Sequence, residues 1–349
     1  CSGGIPECIA KSTIEDIRDH HSRYYHPSNA IFYHYGNIPI NEVFSKVNEV
    51  ISAFPTSNWK FSTSVFNQPK WSEPKRLEIE DSFDPMIKDK SRQYKVIVSY
   101  ITDPWKDQAV HDDIDFLTDL LTRGDSSPIY KAILKSGLAI KYFLNGFNDE
   151  TYNTVVSFGF EGIAEDNVEK VISLIQETLE TCYKEGFQQE RYEALIHENE
   201  IYSHKLSDNM GLKYFYQIST SSCYGIDPHT SLDADFYINT IRKHLNENPK
   251  YYQEMIKNIF LDNKHKLTIV VKPVDGFIDR NNNKIKEDLA QQKSKLNQGQ
   301  IDQIIKNYNL LKENQEKPQP IELLPSIKKS DIEVIGQYDH ITKTEDNVS

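Results

Sequence analysis

The sequence predicts an α+β fold: a two-layer domain with a mostly antiparallel sheet covered by helices, followed by a C-terminal helical hairpin. Strand-like runs at 77–79, 94–101, 140–147, 151–161 and 266–271 are separated by unequal groups of helical segments. That spacing lacks the strict strand–helix alternation of a parallel sheet. The runs at 140–147 and 151–161 are joined by only Asn148-Asp149-Glu150, which suits an antiparallel hairpin. A hydrophobic content of 38% that includes 20 Tyr and 16 Phe supplies core material that disordered chains lack. At 349 residues the length prior is about two domains.

The elements follow in order. A helix is expected over 12–26, capped by Ser12 or Thr13, with Glu15 and Asp16 where the helix dipole favours acid. Ile14, Ile17 and His21 share one side. His26-Pro27 stops it, because proline pushes its predecessor out of the α region. Residues 30–35 read as a short aromatic strand closed by Gly36-Asn37. Val43, Val47, Val50, Ile51 and Phe54 recur at helical spacing and predict a second helix over 40–54. Residues 55–74, with Pro55, Pro69 and Pro74, read as a connector.

From residue 75 the pattern is new. Leu77 and Ile79 alternate with charged neighbours, as in an edge or half-buried strand, and 94–101 is a stronger one. A helix over 107–122 carries Val110, Ile114, Leu117, Leu120 and Leu121, and a short helix over 129–136 ends at Gly137. A long helix over 165–185 turns Val168, Val171, Ile172, Ile175 and Leu179 inward and stops at Gly186. Another covers 188–206. Residues 208–232 show no single period, 234–261 is helical with a break at Pro249, and the strand at 266–271 ends by Pro273. Beyond 279, Leu289, Leu296, Ile301, Ile304, Ile305, Leu310 and Leu311 make a thin apolar stripe on two helices meeting near Asn297-Gln298-Gly299. Ile332, Val334 and Ile335 start a strand-like run, and Asn347 opens a sequon to which no weight attaches.

Composition excludes several functions. Against 40 basic residues stand 52 acidic ones, for a net charge of −12. A nucleic-acid binder needs a basic face, so that class is excluded; cationic partners are mildly favoured. No apolar run reaches the roughly 18 residues of a membrane span. The four cysteines, Cys1, Cys8, Cys182 and Cys223, contain no C-x-x-C pair and argue against both a zinc ribbon and a disulfide framework. Nothing in the composition sets the compartment. The opening Cys1-Ser2-Gly3-Gly4 suggests a piece of a longer protein.

Eleven histidines invite a search for a zinc site. Neither H-E-x-x-H nor H-x-x-E-H occurs. In the nearest approach, His197-Glu198-Asn199-Glu200-Ile201, isoleucine stands at the second histidine position. His204 lies about 10.5 Å further along a straight helix, whereas two nitrogens on one zinc are at most about 4.2 Å apart. His20, His21, His26 and His34 read as packed or surface residues. Asp279, Asn281 and Asn283 resemble the start of a calcium loop, but Lys284 and Ala290 stand where the loop needs Gly and Glu. Ser126-Ser127-Pro128 reads as a turn and helix cap rather than a phosphate nest, and Glu190, Glu193, Glu198 and Glu200 as a solvated acidic face. From these residues alone no catalytic, cofactor-binding or metal-ligating site is expected in this chain.

Ser2-Gly3-Gly4-Ile5-Pro6, the helix at Thr13–His20, Tyr24-Tyr25-His26-Pro27-Ser28-Asn29-Ala30 and Tyr35-Gly36-Asn37 resemble the presequence-protease and falcilysin branch of the insulinase/pitrilysin zinc metallopeptidases. Ser127-Pro128-Ile129-Tyr130-Lys131-Ala132-Ile133, Ser136-Gly137-Leu138, Gly162-Ile163-Ala164-Glu165 and Glu190-Arg191-Tyr192-Glu193-Ala194-Leu195 continue the likeness. Tyr224-Gly225-Ile226-Asp227-Pro228, Asn263-Lys264-His265-Lys266-Leu267-Thr268, Leu324-Pro325 and Ser330-Asp331-Ile332 complete it in family order.

The resemblance implies a zinc endopeptidase whose two halves close around a chamber and hydrolyse unfolded peptides. Zinc would belong to the parent protein, its H-x-x-E-H ligands lying outside this segment. The chain would hold the end of the first, catalytic-type domain (1–56), a connector (57–74), a second, non-catalytic domain (75–274), a helical hairpin linker (275–330) and the start of a third domain (331–349). Its partners would be unfolded peptides, weakly favouring cationic ones, and the remaining domains of the same polypeptide. The family also suggests an organelle such as the mitochondrion or a plastid-like compartment. Two other readings remain open: a structural, non-peptidase relative and a stand-alone peptide-binding module.

Overall fold

The computed structural model describes residues 4, 6–9, 11–54, 67–205 and 208–332. The chain divides into two compact units, Cys1–Phe277 and Ile278–Ser349.

In the first unit a mixed sheet is built from β1 (Lys75–Asp81), β2 (Tyr94–Pro104), β3 (Lys141–Tyr142), β4 (Gly146–Asn148), β5 (Asn153–Ile163) and β6 (Lys266–Pro273). The order is β1-β6-β2-β5-β3, with β4 also on β5. Every pairing is antiparallel except β1 with β6, so the mostly antiparallel expectation holds. The helices are α1 (Pro6–Ile9), α2 (Ile14–Tyr24), α3 (Ile40–Ile51), α4 (Gln108–Thr122), α5 (Val168–Glu185), α6 (Gln189–His204), α7 (Met210–Cys223), α8 (Pro228–Leu232), α9 (Ala234–Glu247) and α10 (Tyr251–Ile256).

Strand alternation explains why one sheet face is covered. Val96, Val98 and Tyr100 of β2 point to one side and stand opposite Phe160, Phe158 and Val156 of β5. Phe116, Leu117, Leu120 and Leu121 of α4, Val171, Ile175 and Leu179 of α5, and Tyr252 and Ile256 of α10 close over them in one core. On the other face Lys95, Ser99 and Ser157 are half-buried, and the Ser99 and Ser157 hydroxyls meet across the strands at 2.8 Å. Leu77 and Ile79 of the edge strand β1 remain exposed, as their charged neighbours imply.

Three expectations need correction. First, residues 30–35 form no strand. Lacking a ladder partner among the described residues, this stretch packs its rings on α7. The Tyr33 hydroxyl donates to the Gly211 carbonyl at 2.9 Å, and a Cβ on Gly211 would come within 2.5 Å of the Tyr35 ring. Second, the aperiodic 208–232 is helical, as α7 and α8. Its apolar residues make no stripe, because Leu212, Phe215 and Tyr216 stay exposed while Ser221 is buried. Third, the first arm of the hairpin is interrupted. Tyr142 pairs with Phe160 and Gly146 with Ser157, so residues 143–145 bulge opposite only 158–159. Gly159 permits this, since a Cβ there would lie 1.6 Å from the Phe143 carbonyl oxygen.

In the second unit, α11 (Phe277–Ser294) and α12 (Gln298–Glu316) bury no residue, and Leu289, Ile304, Ile305, Leu310 and Leu311 are exposed. Asn297 starts α12: its side chain accepts from the Gln300 amide while the Gln300 side chain accepts from the Asn297 amide. The connector residues 55–66, the tail from 333 and the Asn347 sequon lie outside the described residues.

Candidate functional site

The side chains singled out by sequence fall apart in space. His20, His21 and His34 are exposed. His26 caps the turn Pro27–Asn29 by accepting from the Ser28 amide at 3.1 Å. His197 lies beside Glu200 at 3.4 Å on the exposed side of α6, and His204 is exposed at the end of that helix. Asp279, Asn281 and Asn283 belong to α11, a regular helix rather than a loop. The Ser127 hydroxyl donates to the Gly124 carbonyl at 2.8 Å, and Ser126 accepts from Arg191, so this turn is filled by the protein itself. The acidic face of α6 is more than solvated. Glu198 pairs with Arg123 at 2.9 Å, and Arg242 bridges Glu193 and Glu200 at 3.5 and 3.1 Å.

A cleft that sequence reasoning missed lies between α4 and α6–α9, with a volume of ≈ 520 Å³. Its floor is one face of α4, where Gln108, His111, Asp112 and Asp115 recur at helical spacing. Asp107 starts that helix by accepting from the Ala109 amide at 2.9 Å. The Trp105 ring, at the end of β2, lies flat on the His111 ring with centroids 3.9 Å apart. Tyr202, Tyr214, Tyr216 and Tyr237 line the cleft.

His111 stands between two carboxylates, with Nδ1 3.4 Å from Asp112 and Nε2 3.2 Å from Asp149 of the hairpin turn. Burial alone would lower its pKa, but the hydrogen bonds and charges of Asp112 and Asp149 outweigh that and hold it at about 9. Both ring nitrogens therefore donate at neutral pH. His111 holds the Asp149 carboxyl below its ordinary value, whereas burial pushes Asp112 up. Asp115 is pushed up to about 7, by burial first and then by Asp119. Behind α4, facing the core, Asp113 accepts from the Tyr251 and Tyr252 hydroxyls at 2.8 and 2.7 Å and sits 2.9 Å from His244 Nδ1.

Zinc does not fit these residues. Among the described residues no three His, Cys, Asp or Glu side chains are grouped to hold a metal ion. In the nearest cluster the protonated His111 has no lone pair to offer.

Comparison with known proteins places the fold. Residues 11–199 match the family model described as the peptidase M16 inactive domain, and residues 271–348 match a second model, described as associated with the C branch of the M16 peptidases. The mitochondrial presequence protease of Mus musculus is 34% identical over 95% of this chain and 32% of its own length. The chloroplastic/mitochondrial presequence protease 1 of Arabidopsis thaliana is 28% identical over 95% of this chain and 31% of its own. A protease from Helicobacter pylori shares the fold with a TM-score of 0.60 at 20% identity, covering 77% of this chain and 61% of that one. The fold and both matches define a peptidase-type α+β segment. The chain belongs to the M16 peptidase family. It spans about a third of the length of the curated relatives it matches.

Proposed function

We propose that this chain is a non-catalytic segment of a zinc metalloendopeptidase that degrades unfolded peptides inside a closed chamber, and that it supplies chamber wall and the linker between the halves. The observation that carries the reading is the succession, in one chain, of the inactive-domain match and the match to the associated region of the C branch. In this reading residues 1–56 end the catalytic-type domain, 75–274 form its non-catalytic counterpart, 275–330 link the halves and 331–349 begin the third domain. Zinc and its ligands sit elsewhere in the polypeptide. A sheet with helices on one face and half-buried polar residues on the other suits a wall that meets solvent and peptide. A chamber admits only chains flexible enough to enter, so folded proteins are spared. The relatives named for mitochondria and chloroplasts make an organelle the proposed location. No helix among the described residues is long and apolar enough to cross a membrane.

The test compares this chain with the longer polypeptide that contains it. The chain alone should bind no stoichiometric zinc and leave a quenched unstructured peptide intact, while the longer protein should cleave it and lose that activity to a chelator. One tight zinc per isolated chain would refute the reading. A longer protein that neither holds zinc nor cleaves peptide would point instead to a structural relative.

A further inference from the structure

The cleft on α4 contains polar groups that the fold leaves without partners. The Tyr237 hydroxyl is buried and has no hydrogen-bond partner among the described residues. Asp115, on the cleft floor, forms no ion pair there either; the charges around it are Asp119, Asp112 and Asp149, opposed only by His111. The cations nearby are already engaged. His111 is taken by Asp112 and Asp149. Lys213 donates to the Tyr202 carbonyl at 3.2 Å and lies 4.3 Å over its ring. Arg123 serves Asp119 and Glu198, and Arg242 serves Glu193 and Glu200. Glu150 adds a further carboxylate at the rim.

We propose that this cleft binds the guanidinium group of an arginine side chain carried by an extended peptide. The peptide part rests on the function proposed above; the cationic part rests on the cleft alone. A guanidinium offers five N–H donors in a plane. Asp115 can accept two in parallel, the geometry in which arginine pairs with carboxylate most strongly. The Tyr237 oxygen can accept another, which satisfies a buried group that otherwise costs about 1–3 kcal/mol. Tyr202, Tyr214 and Tyr216 offer π faces on which a planar cation stacks. The volume of ≈ 520 Å³ accommodates one long side chain with flanking backbone. A compact ammonium uses neither the parallel pairing nor the stacking as fully. A divalent ion is poorly served, since the carboxylates are not grouped as ligands.

The experiment titrates the full 349-residue chain with two synthetic peptides of polar residues, identical except that one carries a central arginine and the other citrulline, its neutral isostere. Calorimetry should give at least tenfold tighter binding for the arginine peptide. Asp115→Asn should abolish the preference, and Tyr237→Phe should weaken arginine binding several-fold. Thermal melts establish that both variants fold. Equal affinity of the unaltered chain for the two peptides overturns the proposal, and so does a preference that survives in Asp115→Asn. The two readings fail separately. If the longer protein cleaves peptides but the chain shows no arginine preference, the cleft site falls. If the preference is present but no peptidase activity exists, the chamber reading falls and the cleft site stands.

Discussion

Trp105 and His111 lie face to face, 3.9 Å apart and 13° from parallel, and this stack clamps an imidazolium between the carboxylates of Asp112 and Asp149. The histidine is raised from 6.5 to about 9 in the folded chain. Its contribution is therefore fully present below pH 6.5 and disappears as pH rises through 9. At roughly 1.4 kcal/mol per pH unit, that is about 3 kcal/mol. His111→Gln should lower stability by an amount of this order at pH 6 and by much less at pH 10. Urea unfolding at the two pH values checks it; a penalty independent of pH would show that the ring acts through packing rather than charge.

Asp115 works in the opposite direction. Its carboxyl is raised from 3.8 to about 7, chiefly by burial, so the ionised form opposes folding. That opposition grows as pH climbs from 3.8 through 7. Asp115→Asn should therefore stabilise the chain at pH 8, by on the order of 1–2 kcal/mol, or a few degrees in melting temperature. The two proteins should converge near pH 4. A charge kept at the expense of stability is the pattern expected of a binding group. Destabilisation at pH 8 would mean that Asp115 makes a contact the fold needs.

Much of this architecture is legible because local pattern and tertiary environment agree. Val96, Val98 and Tyr100 alternate and are buried on one face of β2, and Val171, Ile175 and Leu179 repeat at helical spacing and are buried on α5. Pattern fails where long-range contact decides. The bulge at 143–145 depends on a glycine across the ladder, and the stretch 30–35 meets α7 instead of a strand partner. The cleft is hidden for the same reason. His111 meets Asp149 across 38 positions of sequence, and neither spacing nor motif links them. The one local sign was the run His111-Asp112-Asp113 followed by Asp115, dense in charge on a helix with a buried face.

Gly159 tests the hairpin. An alanine methyl would meet the Phe143 carbonyl oxygen at 1.6 Å, and backbone cannot step aside as a flexible side chain can. Gly159→Ala should cost about 3 kcal/mol or more, by forcing the bulge away from β5. Amide exchange across β3–β5 should accelerate together with the loss in melting temperature. Unchanged exchange would mean that the arm is not held where the glycine permits it.

Asp113 gives the last prediction. Its carboxyl is wholly buried and accepts from Tyr251 and Tyr252 while His244 approaches at 2.9 Å, so α4, α9 and α10 are joined through one side chain. Asp113→Ala removes the acceptor and leaves the buried Tyr252 hydroxyl unsatisfied, with a cavity beside it. The expected loss is about 2–4 kcal/mol. Asp113→Asn retains a carbonyl that can serve one tyrosine and should lose less. Because Asp113 faces the core and not the cleft, both variants should retain any preference for the arginine peptide under conditions where they remain folded. Denaturant midpoints rank the two; equal losses would show that volume, rather than hydrogen bonding, is what Asp113 contributes.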